Sequence, residues 1–188
     1  MELQNILNEY GIKCDVRLLL DKWNESHRYY HDLEHLTDLI SQINEDFGNG
    51  NINQSERKKL IIAAIFHDIV YEPHSKNNEE KSAELFYKFC SEKHDIDVVE
   101  IKQIILDTKD HVPSTPLSKK FISYDMKICE RSLEDLINWE KKIRKEYELV
   151  ENKEYSFSRL NFLESLIDRY PNNIDNLLDL IQWVKHNY

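Results

Sequence analysis

An uninterrupted apolar run in the middle of the chain constrains the fold more than any other feature. It spans residues 60–66 and is followed at once by His67 and Asp68. Because a helix that is apolar on every face belongs at the centre of a bundle, we predict one from about Gln54 to Tyr71, stopped by Pro73. A buried imidazole and carboxylate at its end would lose their hydration, so they need hydrogen-bonding partners or a cation.

The turn-forming residues are too few for a fold built from many short strands. Among 188 residues there are three Gly and four Pro, whereas 40% of the residues are hydrophobic. Apolar side chains recur at helical spacing through most of the chain, which favours long helices joined by short loops. We therefore expect an all-α fold. We expect one domain over residues 1–188, with a core at about 16–130 and C-terminal helices at about 131–188.

Charge and cysteine content disfavour several classes of partner. The formal net charge is −10, from 35 acidic and 25 basic residues, which argues against binding of a nucleic-acid polymer. Cys14, Cys90 and Cys129 form no C-x-x-C pair, so we expect a reducing cytoplasm and no disulfide framework. No targeting segment or membrane-length apolar run stands out, so we expect a cytoplasmic protein without a membrane partner. The sequence is compatible with a homo-oligomer.

Five side chains that can bind a metal lie in or beside apolar segments. They are His31, His35, His67, Asp68 and Asp125. If residues 31–35 are helical, the imidazoles of His31 and His35 project from the same face, one turn apart. A second group of histidines has charged or polar neighbours, and we expect these side chains to be solvated: His27, His74, His94 and His186.

Two imidazoles and two carboxylates form a mixed nitrogen and oxygen ligand set. Such a set suits a divalent cation and leaves coordination positions open for water, but it does not distinguish Mn, Co, Ni, Fe, Mg or Zn. A bound cation lowers the pKa of its water and polarises a phosphoryl oxygen. We therefore expect an enzyme that hydrolyses a phosphate ester.

The order of these residues resembles the signature of the HD superfamily of metal-dependent phosphohydrolases. That signature is a His, a later His-Asp pair and a distant Asp, matched here by His35, His67-Asp68 and Asp125. The similarity is closer to a branch of predicted hydrolases among small bacterial proteins, and it covers most of the chain. The resemblance implies an HD-domain helical bundle with a C-terminal helical extension, in which His35, His67, Asp68 and Asp125 hold the metal. Further matching positions lie at 28–36, 66–71, 78–79, 82–83, 108, 111, 143–147, 155 and 159.

The segment from Tyr30 to His35 also resembles the motif of class I cyclic nucleotide phosphodiesterases. In that motif the first His donates a proton and the second binds metal, which implies that His31 protonates the leaving oxygen. An imidazole titrates near neutral pH and can act as a general acid within hydrogen-bonding reach of the ester. An equally weighted alternative is that His31 only orients His35. The candidate catalytic residues are His31 and Asp68.

Anchoring a phosphate requires cations, and we expect substrate-binding side chains near the site. The candidates are Arg28, Lys109 and Arg159, together with Tyr71, which can stack on a base or sugar. Arg159 can instead lie against a helix C-terminus, and Tyr71 can be an ordinary core aromatic.

One departure from the branch pattern bears on the number of ions. Relatives often carry Asp-x-Asp where this chain has Ser123-Tyr124-Asp125, so one carboxylate that could serve a second ion is missing. Glu79 and His111 are the remaining candidates for supporting the ligands or for holding a second ion.

The expected substrate is a small phosphorylated metabolite such as a nucleotide. Two other functions stay open. An HD-fold di-iron oxygenase could use the same ligands, although it needs more of them. A catalytically silent module could bind a nucleotide or a metal without turning anything over.

Overall fold

The computed structural model describes residues 2–91 and 96–188, so His94 lies outside the described residues. Within those two ranges the chain is all-α, as predicted: it forms ten α-helices and no β-strand. The helices are α1 (Glu2–Glu9), α2 (Val16–Trp23), α3 (Leu33–Gly48), α4 (Gln54–Phe66), α5 (Asn78–Phe89), α6 (Ile96–Asp107), α7 (Pro116–Asp125), α8 (Leu133–Glu146), α9 (Asn152–Leu166) and α10 (Ile174–Asn187). None of them is long and apolar enough to cross a membrane.

The chain divides into two compact units, Met1–Asp125 and Met126–Tyr188. This boundary lies close to the division expected at about residue 130 between a core and its C-terminal helices. The first unit contains α1 to α7 and the second contains α8 to α10. The single domain over residues 1–188 stays a prediction.

Helix α4 is the centre of the first unit. Every residue from Leu60 to Phe66 is at most 1% exposed. The helix packs against α3, α6, α7, α5 and α1, so each of its faces meets a neighbour. Ala63 and Ala64 are fully buried, and their small side chains let those neighbours approach closely.

Helix α4 ends at Phe66, five residues before the predicted end at Tyr71, and Pro73 does not stop it. His67 is the C-terminal cap, and Asp68 lies in the turn that follows. The turn forms because side chains donate hydrogen bonds to backbone carbonyl oxygens. In a longer helix these oxygens would accept from backbone amides instead. His67 Nδ1 donates to Ala64 O (3.0 Å), Trp23 Nε1 to Ile65 O (2.9 Å) and Arg28 Nη1 to Asp68 O (2.8 Å).

Helix α3 begins at Leu33, so His31 precedes the helix. The premise of a helix over residues 31–35 is therefore wrong. Asp32 is the N-terminal cap, and its carboxylate accepts hydrogen bonds from the amides of Glu34 and His35. A capping aspartate takes an extended backbone conformation, which stops the helix from continuing back to His31.

The second unit contains a buried charged residue, Glu140, that contacts side chains of α9. The C-terminal helices expected at about 131–188 are α8, α9 and α10, and α10 packs against both of the others. Glu140 is fully buried within this unit and accepts hydrogen bonds from Tyr155 Oη and Arg159 Nε, each at 2.6 Å. Arg159 also lies over the ring of Trp139, 4.3 Å from its centroid.

Candidate metal centre

Three of the predicted metal ligands meet in the first unit. His35 lies in the first turn of α3, while His67 and Asp68 follow the last turn of α4. Each offers one ligand atom, and the three atoms lie within 4.8 Å of one another. The imidazoles are shielded from water, since His67 is 1% exposed and His35 is 7% exposed.

Asp125, at the end of α7, completes the group predicted from the sequence. Its Oδ1 lies 3.1 Å from His35 Nε2 and 3.7 Å from His67 Nε2. The preceding residue ties α7 to α3, because Tyr124 Oη donates to Asp46 Oδ2 at 2.6 Å and Gln42 Nε2 donates to Tyr124 O at 3.3 Å. The fold therefore brings all four predicted ligands to one place.

The two imidazole Nε2 atoms are buried and lack a hydrogen-bond partner among the described residues. A carboxylate oxygen is close to each, at 3.1 Å from His35 and 3.0 Å from His67, without the alignment of a hydrogen bond. His67 Nδ1 donates to the carbonyl of Ala64, which leaves the lone pair of a neutral ring on Nε2. A ring nitrogen and a carboxylate that face one another need a proton or a cation between them, so these residues fit a divalent metal ion.

Charge at the centre favours a cation in the same way. Burial alone would lower the pKa of His67, but the carboxylates of Asp68 and Asp125 raise it to about 9. Burial would also raise the pKa of Asp125, yet its neighbours His111, His35 and His67 hold it well below its usual range. Burial would likewise raise the pKa of Asp68, but His67 lowers it. Both carboxyl groups are thus kept ionised, the form that binds a metal, and a metal ion would replace the proton that His67 holds at neutral pH.

His111 approaches the same carboxylate from the loop between α6 and α7. Its Nε2 lies 3.5 Å from Asp125 Oδ2. Its φ of 51° is in the left-handed region, which costs a non-glycine residue about 1 kcal/mol or more. The loop is anchored at both ends, because Asp107 Oδ2 accepts from the amide and the hydroxyl of Ser114, each at 2.7 Å.

Glu79 and His31 lie beside the ligands. Glu79 is half-buried in the first turn of α5, where burial and the negative charge of Asp68 raise its pKa. His31 precedes α3, its ring centroid lies 6.0 Å from that of His35, and it stacks on Tyr71 at 4.3 Å. Either residue can support the ligands, and the catalytic role of His31 stays a prediction.

The residues expected to bind substrate already have partners within the protein. The buried guanidinium of Arg28 donates to backbone carbonyls, and Tyr71 is 7% exposed. Lys109 forms an ion pair with Glu80 on the surface of the first unit. Arg159 belongs to the second unit, where it pairs with Glu140. Their contact with a substrate stays a prediction.

Two residues that support the centre were not identified as such from the sequence. Trp23 lies 5.4 Å from the ring of His67 and 6.3 Å from that of His35, between centroids. A buried indole needs a partner for its single N–H, and this requirement was the available signal. Asp107 ends α6 and holds the loop of His111, but nothing in its sequence context distinguishes it from a surface aspartate.

Comparison with known proteins places the chain in a family. A family model described as HD domain matches residues 28–148, well over half of the chain and inclusive of all four candidate ligands. Searches of curated proteins and of solved structures gave no significant match. The chain therefore belongs to the HD domain family.

Proposed function

We propose that the protein is a metal-dependent phosphohydrolase acting on a small phosphorylated metabolite such as a nucleotide. HD domains are typically metal-dependent hydrolases. The observation that carries the proposal is the meeting of His35, His67 and Asp68 around two buried Nε2 atoms that lack hydrogen-bond partners among the described residues. A site built only for stability would have paired these atoms.

The four predicted ligands would hold the cation. His35, His67, Asp68 and Asp125 supply two nitrogen and two carboxylate donors, and His67 is oriented by the carbonyl of Ala64. When bound, a divalent cation supplies an activated water and offsets the negative charge that develops on the phosphoryl group. The burial of both imidazoles strengthens these electrostatic interactions by excluding water.

His31 would hold the proton that the leaving group needs. It lies beside His35 without sharing its helix, and stacking on Tyr71 limits the orientations of its ring. An imidazole so placed can transfer its proton to the leaving oxygen of the ester.

Lys109 would meet the phosphate from the surface of the first unit. Its partner Glu80 is about as exposed as Lys109 itself, at 40% and 39% of their side chains. Solvent screens a surface ion pair of this kind and makes it weak, so an incoming phosphate can displace it.

A metal and substrate screen tests the proposal. Metal-depleted protein is reloaded in turn with manganese, cobalt, nickel and magnesium, and phosphate release is measured from a panel of phosphorylated metabolites. We expect turnover with at least one metal in the wild type and in Asp38→Ala, an exposed aspartate of α3. Asp68→Ala should lose bound metal and turnover together. Release from no substrate, or an Asp68→Ala variant with unchanged metal content and activity, would contradict the proposal.

A further inference from the structure

We propose that Arg28 is a positioning residue that fixes the proton donor His31 relative to the metal ligand Asp68; the inference rests on the function proposed above. This role differs from the phosphate binding expected from the sequence. It follows from what the guanidinium contacts, since its donors are directed at the backbone of the two segments that carry those residues.

One nitrogen of Arg28 bridges the two segments. Nη1 donates to His31 O at 3.0 Å and to Asp68 O at 2.8 Å, and these residues are far apart in the chain. Nη2 donates to Ile69 O at 3.3 Å, in the same turn as Asp68. Movement of either segment would break a hydrogen bond to the same guanidinium, so their relative position is fixed.

Burial and charge make these hydrogen bonds strong. The side chain of Arg28 is 0% exposed, and Nε lies 3.3 Å from Glu25 Oε2, which balances the buried charge. Charge-assisted hydrogen bonds in a site without water contribute more than neutral ones.

Two aromatic rings hold the guanidinium in place. Its Cζ lies 5.4 Å from the ring centroid of Trp23 and 5.3 Å from that of Tyr71. Trp23 in turn contacts the ring of His67, and Tyr71 stacks on His31. Arg28 is therefore linked to both histidines through rings as well as through the backbone.

A lysine at position 28 cannot form the hydrogen bonds that Arg28 forms. An ammonium is a point donor on a flexible stem, whereas the guanidinium presents five N–H groups in one plane. Arg28→Lys keeps the charge and loses the simultaneous bonds to His31 O, Asp68 O and Ile69 O. Changes to residues that orient metal ligands typically weaken metal affinity or activity by about 10–100-fold, and we expect a loss of that size.

Metal affinity provides a test that does not depend on turnover. Mn²⁺ is titrated into metal-depleted wild type, Arg28→Lys and the control Arg57→Lys by calorimetry. Arg57 is a matched control: it belongs to the same unit, its side chain is 11% exposed, and it pairs with Glu2 and lies over Phe47. We expect Arg28→Lys to bind Mn²⁺ about 10–100-fold more weakly and Arg57→Lys to bind it like the wild type.

Two further measurements separate positioning from general damage. With an alkyl phosphate, which needs a protonated leaving group, kcat of Arg28→Lys should fall more than with p-nitrophenyl phosphate, while KM changes less. In Arg28→Ala, millimolar guanidinium should restore part of the lost Mn²⁺ affinity by occupying the vacated space. If Arg28→Ala does not fold, Arg28→Lys carries the test, with helix content checked by circular dichroism.

The outcomes distinguish this inference from the proposed function. A wild type that binds Mn²⁺ but hydrolyses nothing removes the function, and the affinity comparison still decides whether Arg28 positions the Asp68 turn. An active wild type matched by Arg28→Lys in affinity and in kcat for both esters overturns the inference alone. A wild type that binds no Mn²⁺ overturns both.

Discussion

His31 has two alternative roles at the centre: it donates a proton to the leaving group, or it only orients His35. Their rings are 6.0 Å apart between centroids, so His31 is near the ligands, and its ring stacks on Tyr71. As a proton donor it acts on the leaving group and contributes little to metal binding.

His31→Gln should therefore lower kcat by about 10²–10⁴-fold on an alkyl phosphate. The loss should be smaller on p-nitrophenyl phosphate, because that leaving group departs without a proton. Mn²⁺ affinity should stay at the wild-type value, as it should in His74→Gln, a change at an exposed histidine. An equal loss on both esters together with weaker metal binding would instead support the orienting role.

Single residues of the centre were predictable where their chemistry stands out against an apolar context. His67 and Asp68 follow a buried helix, and Asp125 follows the buried residues Phe121 and Ile122, so each was a candidate ligand before the fold was known. The contacts of Arg28 were not predictable. Its acceptors are backbone carbonyls, which every residue has and no sequence pattern marks.

The loop between α6 and α7 depends on one carboxylate. Burial alone would raise the pKa of Asp107, but hydrogen bonds from Ser114, Ser118 and Gln103 lower it. A depressed pKa in the folded state means that the ionised form stabilises the protein. This contribution is present above the unfolded value of about 3.9 and is lost as the pH falls through the folded pKa.

Asp107→Asn should therefore reduce the free energy of unfolding by about 1.5–3 kcal/mol at pH 7, the range for a hydrogen bond to a charged group. The difference from wild type should shrink as the pH falls from about 4 through the lowered folded pKa, because the unfolded chain takes up the proton first and the folded protein later. Denaturant unfolding of wild type and Asp107→Asn across this pH range measures the difference in their free energies of unfolding. A difference that is constant from pH 7 to pH 3 would show that the charge of Asp107 contributes nothing.

Helices were easier to predict than their ends. Apolar spacing located most of them, including α8, α9 and α10, because burial of one face repeats with the helical period. It missed α1, where Ile6 and Leu7 are buried. It also extended α4 to Tyr71, because the donors that end this helix at Phe66 come from distant side chains such as Trp23 and Arg28.

The start of α3 was mispredicted for a different reason. Asp32 followed by Glu34 is a local capping pattern, and it could have been used to exclude His31 from the helix. The four-residue spacing of His31 and His35 suggested a shared helix instead. The imidazoles still lie close together, because the turn before a helix folds back towards its first residues.

The buried ion pair between Glu140 and Arg159 should contribute to the stability of the second unit. Removing Glu140 leaves the buried guanidinium of Arg159 without its carboxylate. Glu140→Ala should lower the free energy of unfolding by about 3–5 kcal/mol, as expected when one partner of a buried pair is lost. Glu134→Ala, an exposed change on the same helix, should cost about 0.5 kcal/mol or less.

The double variant Glu140→Leu with Arg159→Leu shows whether the pair itself is responsible. We expect it to lose less stability than the single variants Glu140→Leu and Arg159→Leu lose in sum, since no unpaired charge is left behind. Chemical denaturation of the four proteins gives the coupling energy. Additive losses would mean that Glu140 and Arg159 contribute through packing alone.

The central claim about the molecule is that four side chains of the first unit, distant in sequence, bind one shared cation. The most direct test is X-ray diffraction from crystals grown or soaked with Mn²⁺, measured where manganese scatters anomalously. We predict an anomalous peak in contact with Nε2 of both His35 and His67 and with the carboxylates of Asp68 and Asp125. Crystals that show no peak at this place, or a peak bound elsewhere, would contradict the account.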